Sequence, residues 1–600
     1  MMAVDFAIGL AGLILLVAPG WLVARTLSLP QPWLAGFIAS ALTLFTLVLG
    51  LDALGVSLSR GAVFGAWLPV TAGAAWCWLH RRPGSATAPL ERARFAWRED
   101  GLLLLPLIPA LAVVVYRATA QPLFGVDTVF RWNYLAEQIF VRGTLGFYPP
   151  ATAAAYEIYA WPDGIAPLVS TLYFWLYRLA GDTRMGLTAP LVIGQFVLIV
   201  AATYALGRRL FSARAGAFAA VALAASPLAL WATAMGQETG LTAISLAALL
   251  LYLPRSRSEE SSAPIVAAAL AAGCGALARE YGLVAPVLGI ALCLTRSLSP
   301  RATGLFVAVA LVVTVPWYGR NGSMTGNPLF NLAVGGAFPV NEVHAWLNES
   351  YHVEFGWANL PPEAGRLILA NGLAPILATL AGTVVHFQAG RSLLAAIAVF
   401  VAVWAASVAY TAAGFMYSLR VLNPALVPAA VLGGAVLARW IPARRHLVGV
   451  VFGLTLVATD ASLRALTLPA NVYRLPSSSW LGYGRGLHEY HARPIYAEIG
   501  RVAGSGRILV LGPHALLTKH GARALPLWSP EVRFLYDSAL TPKMIAGRLQ
   551  AANIGFVLLN TGAVNERFLA RSAFFRDPEG RLQPIWSDSD MVLLRVVRAP

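Results

Sequence analysis

Apolar runs of about 20 residues, separated by short polar stretches, recur from the start of the chain to about residue 466, and each is long enough to cross a bilayer as a helix. They predict spans over 6–27, 33–54, 61–80, 101–118, 184–206, 213–234, 239–254, 263–278, 281–296, 301–318, 366–387, 392–412, 420–438 and 447–466. Arginine sorts the intervening loops. Arg81, Arg82, Arg92, Arg94 and Arg98 fill one, and Arg208, Arg209 and Arg214 another. Arg255 with Arg257, Arg296 with Arg301, Arg391, and Arg439, Arg444 with Arg445 mark the rest. All fall on one side, the cytoplasmic one, if the fourteen segments cross and both termini lie outside. A further apolar segment, Ile165–Leu179, would break this parity. It is short, opens near Pro162 and Pro167 and carries Arg178, so it is expected to lie as an amphipathic helix on the outer surface. Two long loops, 119–183 and 319–365, then face outward, with short outward turns at Gln237-Glu238, Arg279-Glu280 and Tyr417 to Arg420. The first run, Phe6–Leu27, lacks a basic leader and is followed directly by more spans, so it reads as a retained signal anchor.

Beyond about residue 467 the pattern changes. Arg507–Gly512, Gly555–Asn560 and Met591–Val597 read as strands and Pro542–Asn553 as an amphipathic helix, which suggests a small α/β domain. Gly504-Ser-Gly506 precedes the first strand instead of following it, so it is not a phosphate-binding glycine loop. The expected fold class is an all-α polytopic membrane protein with a small C-terminal α/β extracytoplasmic domain. Its parts are three extra N-terminal spans and a cytoplasmic loop (1–100), a transmembrane core (101–466) and the C-terminal domain (467–600).

Composition agrees: 58% of residues are hydrophobic and only 12% charged, about half the usual charged fraction, with mean hydropathy +0.66. A net charge of +16 suggests nucleic acid, but the arginines are scattered through short loops between apolar runs, where membrane topology asks for them. No nucleic-acid partner is expected. Cys77, Cys274 and Cys293 all fall in apolar helices, leaving no disulfide framework and no metal-ligand spacing.

Ionisable groups at membrane depth are costly and mark functional sites by default. Asp127 and Arg131, four residues apart beside Phe130, Trp132 and Tyr134, would share one helical face, and a carboxylate there could act as base toward a sugar hydroxyl. An ordinary ion pair in an aromatic belt fits the same residues. Glu238 sits in a turn with almost no length, where a first-turn acid on the helix dipole is the plain alternative. Arg279 runs against the inward bias of basic residues and is shaped to hold a phosphate, or else to pair with Glu280. Pro316-Trp-Tyr-Gly-Arg-Asn321 closes a span in aromatics and Arg320, which an aromatic belt with a snorkelling arginine also explains. His344 and His352, with Glu342 or Glu354, leave metal binding open. Acids and arginines gathered on one surface suit transfer of a sugar from a lipid phosphate: a carboxylate takes the proton of the attacking hydroxyl and cations receive the departing phosphate.

In this order and spacing the residues resemble the membrane glycosyltransferases of the GT-C fold, and within them the bacterial branch related to protein O-mannosyltransferases and lipid A aminoarabinose transferases. The resemblance runs through roughly 101–330. It comprises Asp127 in the first outer loop, Trp161-Pro-Asp-Gly-Ile-Ala-Pro167, a span ending in Gly207-Arg-Arg-Leu-Phe211, Glu238, Arg279, and Pro316–Asn321 followed by Thr325-Gly-Asn-Pro328. It implies a fold of about 14 transmembrane helices and a polyprenyl-phosphate-linked sugar as donor. The reaction would be inverting transfer to a hydroxyl of a glycan, glycolipid or protein at the outer face. Asp127 and Glu238 would be catalytic and Arg279 and Arg320 would bind the donor phosphate. Arg131, Asp163, Glu280, Tyr318, Asn321 and His344 would line the substrate site. A divalent metal on Asp127, Glu238 and His344 stays open. The chain departs from relatives that carry Asp-Glu where it has Asp127-Thr128, and lysine where it has Arg279. A flippase for lipid-linked sugars and a non-catalytic envelope scaffold are the competing readings.

Overall fold

A computed structural model describes residues 2–80, 101–125, 127–360, 364–408, 418–441, 447–467, 495–576, 581–587 and 591–597. Arg81, Arg82, Arg92, Arg94, Arg98, Tyr417, Arg444 and Arg445 lie outside the described residues. The helical part runs α1 (Met2–Thr26), α2 (Pro32–Ala53), α3 (Arg60–His80), α4 (Leu107–Ala120), α5 (Asn133–Arg142), α6 (Ala153–Ile158), α7 (Leu168–Ala180), α8 (Ala189–Leu210), α9 (Ala213–Ala224) and α10 (Pro227–Ala234). It continues with α11 (Glu238–Tyr252), α12 (Ser262–Ala278), α13 (Val284–Thr295), α14 (Pro300–Thr325), α15 (Glu342–Phe355), α16 (Ala364–Val408), α17 (Asn423–Trp440) and α18 (Leu447–Thr467). Among the described residues eight helices are long and apolar enough to cross a bilayer, or nine with α9 and α10 counted as one bent span. The protein is an integral, multi-pass membrane protein.

The expected count of about fourteen spans is not reproduced. Segments 366–387 and 392–412 join into the single 45-residue helix α16, with Arg391 inside it. The junction, His386-Phe-Gln-Ala-Gly-Arg391, holds no proline and only one glycine, and a lone glycine costs a helix about 1 kcal/mol, too little to force a turn. Between α9 and α10 the chain does bend, by 69°. There Ser226 accepts from the Ala229 amide at 3.3 Å and Pro227 occupies the first turn, a start signal that ends one helix and begins the next. The bend delivers the tight Met235–Gln237 turn to the site.

Ile165–Leu179 is not a surface helix. Every residue of α7 from Leu168 to Tyr177 is buried, between α1, α2 and α5. Its polar atoms are satisfied inside the protein: Trp175 Nε1 donates to the Gly12 carbonyl at 2.9 Å, Ser170 to Trp132 O at 2.8 Å, and Tyr173 to Gly236 O. The amphipathicity read from the sequence separates two protein surfaces, not lipid from water. The N-terminal helices supply one of them. α1 and α2 cross so closely that a Cβ on Gly20 would stand 2.2 Å from Gly36 O, and Asp52 at the end of α2 accepts from Thr144 Oγ1 and Leu145 N, both at 2.7 Å.

The C-terminal domain opens on α19 (Ile495–Ala503) and then alternates: β1 (Arg507–Leu511), α20 (His514–Lys519), β2 (Arg523–Pro526), α21 (Pro542–Ala551), β3 (Ile554–Asn560), α22 (Ala563–Leu569), α23 (Ala573–Arg576), β4 (Leu582–Ser587) and β5 (Met591–Val596). The sheet order is β2-β1-β3-β5-β4, parallel from β2 to β3 and antiparallel beyond. β1 is an interior strand, paired on both sides and buried throughout, which its unbroken Ile-Leu-Val-Leu run requires. The domain rests on the loops at one end of the helical core. Arg507 pairs with Glu157 at 2.7 Å, Lys519 with Glu137 at 2.9 Å, and Asn341 Nδ2 donates to Trp528 O at 2.8 Å.

Candidate active site

The first loop enters the site under steric control. A Cβ on Gly125 would stand 2.4 Å from Gln237 Nε2 and 2.9 Å from Thr128 Oγ1, so a larger residue there would have to displace those side chains. Three residues on, Thr128–Trp132 form a single π-helical turn, a rare element found often at functional sites, that runs into α5. Thr128 Oγ1 ties the turn to Met235 O at 3.2 Å.

Asp127 heads this turn, and the structure resolves its partners differently from a simple i, i+4 pair. Arg131 Nη1 stands 3.9 Å away, while Arg131 Nε goes to Asp163 at 2.8 Å. The close partner of Asp127 is Arg420 Nη2, at 2.6 Å. Burial pushes the Asp127 carboxyl up, but Arg420, with Arg131 and Arg279 adding to it, more than offsets this and holds it below the ordinary carboxylate range. Arg420 also donates to Gln237 Oε1, and its Nε lies 4.0 Å from Glu238 Oε1. One arginine thus joins the two predicted acids. Their exposures differ: the Asp127 side chain is 24% exposed and open to a ligand, that of Glu238 only 1%. Neither carboxylate oxygen of Glu238 has a hydrogen-bond partner among the described residues. A buried carboxylate left so is costly unless a ligand completes it.

Arg279 approaches from the third turn. Its Nε pairs with Glu280 Oε2 at 3.0 Å, its guanidinium lies 5.7 Å from the Trp132 ring centre, and its Nη1 is buried without a hydrogen bond among the described residues. Burial pushes the Glu280 carboxyl up, against the pull of Arg279. Arg131, Arg279 and Arg420 therefore surround Asp127, a set of guanidiniums suited to a phosphate.

Several expected site residues are committed elsewhere. Asp163 accepts from Arg131, from Tyr148 OH at 2.6 Å and from Tyr159 OH at 3.2 Å, which fills it. Arg320 donates to the carbonyls of Tyr148 at 2.6 Å and Leu145 at 3.0 Å, with Asp52 at 3.7 Å. Tyr318 donates to Ala276 O at 2.7 Å and Asn321 Nδ2 to Gly164 O at 2.7 Å. Arg320 and Asn321 thus tie the first loop to α14, Tyr318 ties α14 to α12, and Asp163 braces the first loop within itself. His344 packs edge-on to Trp161 and Trp528 and meets the amides of Asn331 and Asn348 at 3.4 and 3.3 Å. Burial, helped by Arg131, lowers its pKa to about 3, so it is a neutral imidazole. It does not join Asp127 and Glu238: among the described residues no three His, Cys, Asp or Glu side chains converge as a metal site.

Two residues complete the centre that sequence reading did not assign, Arg420 and Gln237. The signal for Arg420 was present: like Arg279 it is a basic residue at an outward turn, against the bias of basic loops.

Residues 165–319 match the model of the dolichyl-phosphate-mannose-protein mannosyltransferase family. Among solved structures, ArnT from Cupriavidus metallidurans bound to undecaprenyl phosphate superposes with a TM-score of 0.50 at 15% identity, over 84% of this chain and 99% of that one. The oligosaccharyltransferase of Archaeoglobus fulgidus tethered with an acceptor peptide gives 0.47 at 12% identity, over 80% and 72%. No curated protein matches the sequence. The fold is that of the GT-C membrane glycosyltransferases, and residues 165–319 are similar to the mannosyltransferase family, in line with the sequence resemblance.

Proposed function

We propose that the protein transfers a sugar from a polyprenyl-phosphate carrier to an acceptor hydroxyl of a glycan, glycolipid or protein at the outer face of the membrane, with inversion and with Asp127 as the base. The observation that carries this reading is a solvent-open carboxylate ringed by Arg131, Arg279 and Arg420. The acceptor hydroxyl gives its proton to Asp127 while its oxygen bonds to the anomeric carbon. The bond from that carbon to the phosphate oxygen breaks on the opposite side, and its electron pair leaves with the phosphate. Attack from the far side inverts the centre. Arg420 and Arg279 meet the growing phosphate charge, as preorganised cations do best in a partly dry site. When a phosphate draws those guanidiniums toward itself, Asp127 loses their pull and regains basicity. Glu238, whose oxygens have no hydrogen-bond partner among the described residues, receives a hydroxyl of the acceptor. That ArnT is bound to undecaprenyl phosphate supports a lipid-phosphate carrier here.

The test is Asp127→Asn in purified protein given a polyprenyl-phosphate sugar and an acceptor. Transfer is expected to vanish while expression and melting stay as in the parent. Full activity in the variant removes Asp127 from the mechanism. A parent protein that moves intact donor between leaflets, without cleaving the sugar–phosphate bond, is a flippase.

A further inference from the structure

The turn that carries Asp127 has two sides, and only one belongs to the site. Asp127 and Arg131 face the charged centre, and Thr128 and Trp132 are fully buried toward the helical core. Val129 goes the other way. It is 4% exposed and belongs to an apolar cluster built from the C-terminal domain, with Ile508 and Val510 of β1, Leu516 of α20 and Leu558 of β3. Phe130 packs against the same cluster. A π-helical turn is wide enough to send neighbouring side chains to opposite sides, and this one is a wedge between two domains. The contacts around it hold the wedge in place: Lys519 at the end of α20 pairs with Glu137 at 2.9 Å, Arg507 with Glu157 at 2.7 Å, and Trp528 Nε1 donates to Ala160 O.

We infer that seating of the C-terminal domain fixes the position of Asp127, and that Val129 is the positioning residue through which the domain acts. The site is complete only with the domain seated. This rests on the transfer reading above. The polar ties seen on the turn, Thr128 Oγ1 to Met235 O, Ser170 Oγ to Trp132 O and Arg420 to Asp127, run to the helical core, so its outer side depends on the fit of Val129. A base displaced by about 1 Å loses on the order of 100-fold in rate without losing substrate affinity.

The experiment compares Val129→Ala and Val129→Ile in the full-length protein with a polyprenyl-phosphate sugar as donor. The alanine variant is expected to lose more than about tenfold in kcat with an unchanged donor KM and melting temperature, and the isoleucine variant to keep parental kcat. Amide exchange over Thr128–Trp132 is expected to speed up in the alanine variant alone. Parental kcat and exchange in Val129→Ala overturn the inference. So does a loss of kcat that tracks a lower melting temperature and is not spared in Val129→Ile. If the parent shows no transfer at all, the functional reading fails, and the exchange comparison still decides whether the domain positions the turn.

Discussion

In the proposed reaction Asp127 would serve two ends that pull against each other: the cations that suit a departing phosphate also make the carboxylate a weaker base. Its pKa is depressed in the folded protein, so the ionised form exists above that lowered value and is lost only as pH falls through it. The acid limb of kcat/KM is therefore expected below the ordinary aspartate value of about 3.9. Arg420→Gln removes the nearest cation, 2.6 Å away, and is expected to move that limb to higher pH while lowering kcat by about 10²–10³-fold, the usual loss when one preorganised donor is removed. A pH profile of the variant lying on that of the parent would sink the assignment of Arg420. Asp127, Glu238 and Arg279 stand out in the sequence because an ionisable residue at a helix end is conspicuous among apolar runs, and the structure places Asp127 and Glu238 around Arg420. Arg320, Tyr318 and Asn321 are conspicuous in the same way, but the sequence does not show that they bond carbonyls of Tyr148, Ala276 and Gly164, since no local pattern announces a distant carbonyl. Arg420 has the same signature as Arg279, and its convergence with Glu238 is visible only once α11 and α17 are packed together.

At the scale of elements, hydrophobic periodicity finds a helix but does not say what covers it. α7 looks amphipathic, and by the parity of charged loops it should float at the membrane surface, yet α1, α2 and α5 enclose it. Trp175 is the sharpest discriminator. It is fully buried, its indole lies 4.6 Å from the Phe64 ring and 5.3 Å from that of Trp67, and its Nε1 reaches the backbone of α1. Trp175→Ala is expected to cost about 3–5 kcal/mol, the usual penalty for emptying such a site, and to leave the Gly12 carbonyl without its donor. Thermal unfolding in detergent measures this; a loss under about 1 kcal/mol would return α7 to the surface. The strands of the C-terminal domain were easier to read, since a short β-branched and leucine-rich run between glycines has few other solutions. The single helix α16 was harder, because composition alone gives no reason to choose between one long helix and two spans joined by a turn at Arg391.

For the whole molecule, the decisive feature is that the turn carrying Asp127 packs against the C-terminal domain, so the proposed chemistry would depend on the bond between the two. Arg507 is the main polar link. Its guanidinium reaches Glu157 of the first loop at 2.7 Å and Glu531 of its own domain, and the hydrogen bonds to Glu531, ahead of the pull of Glu157, raise its pKa and keep it charged. The Arg507 side chain is only 9% exposed, so salt screens the pair less than it would a surface pair. Removing it in Arg507→Met leaves Glu157 with the longer contact to Arg523, at 3.4 Å, and is expected to weaken docking by about 1–3 kcal/mol, as for a lost charge-assisted hydrogen bond. The variant should then show faster amide exchange over Ala153–Ile158 and lower transfer, although Arg507 touches nothing in the charged centre. Unchanged exchange there would mean that the apolar seat around Val129 and Trp528 holds the domain without help. Loosened docking with full turnover would mean that the catalytic turn keeps its shape with the domain ajar, and would count against the wedge itself.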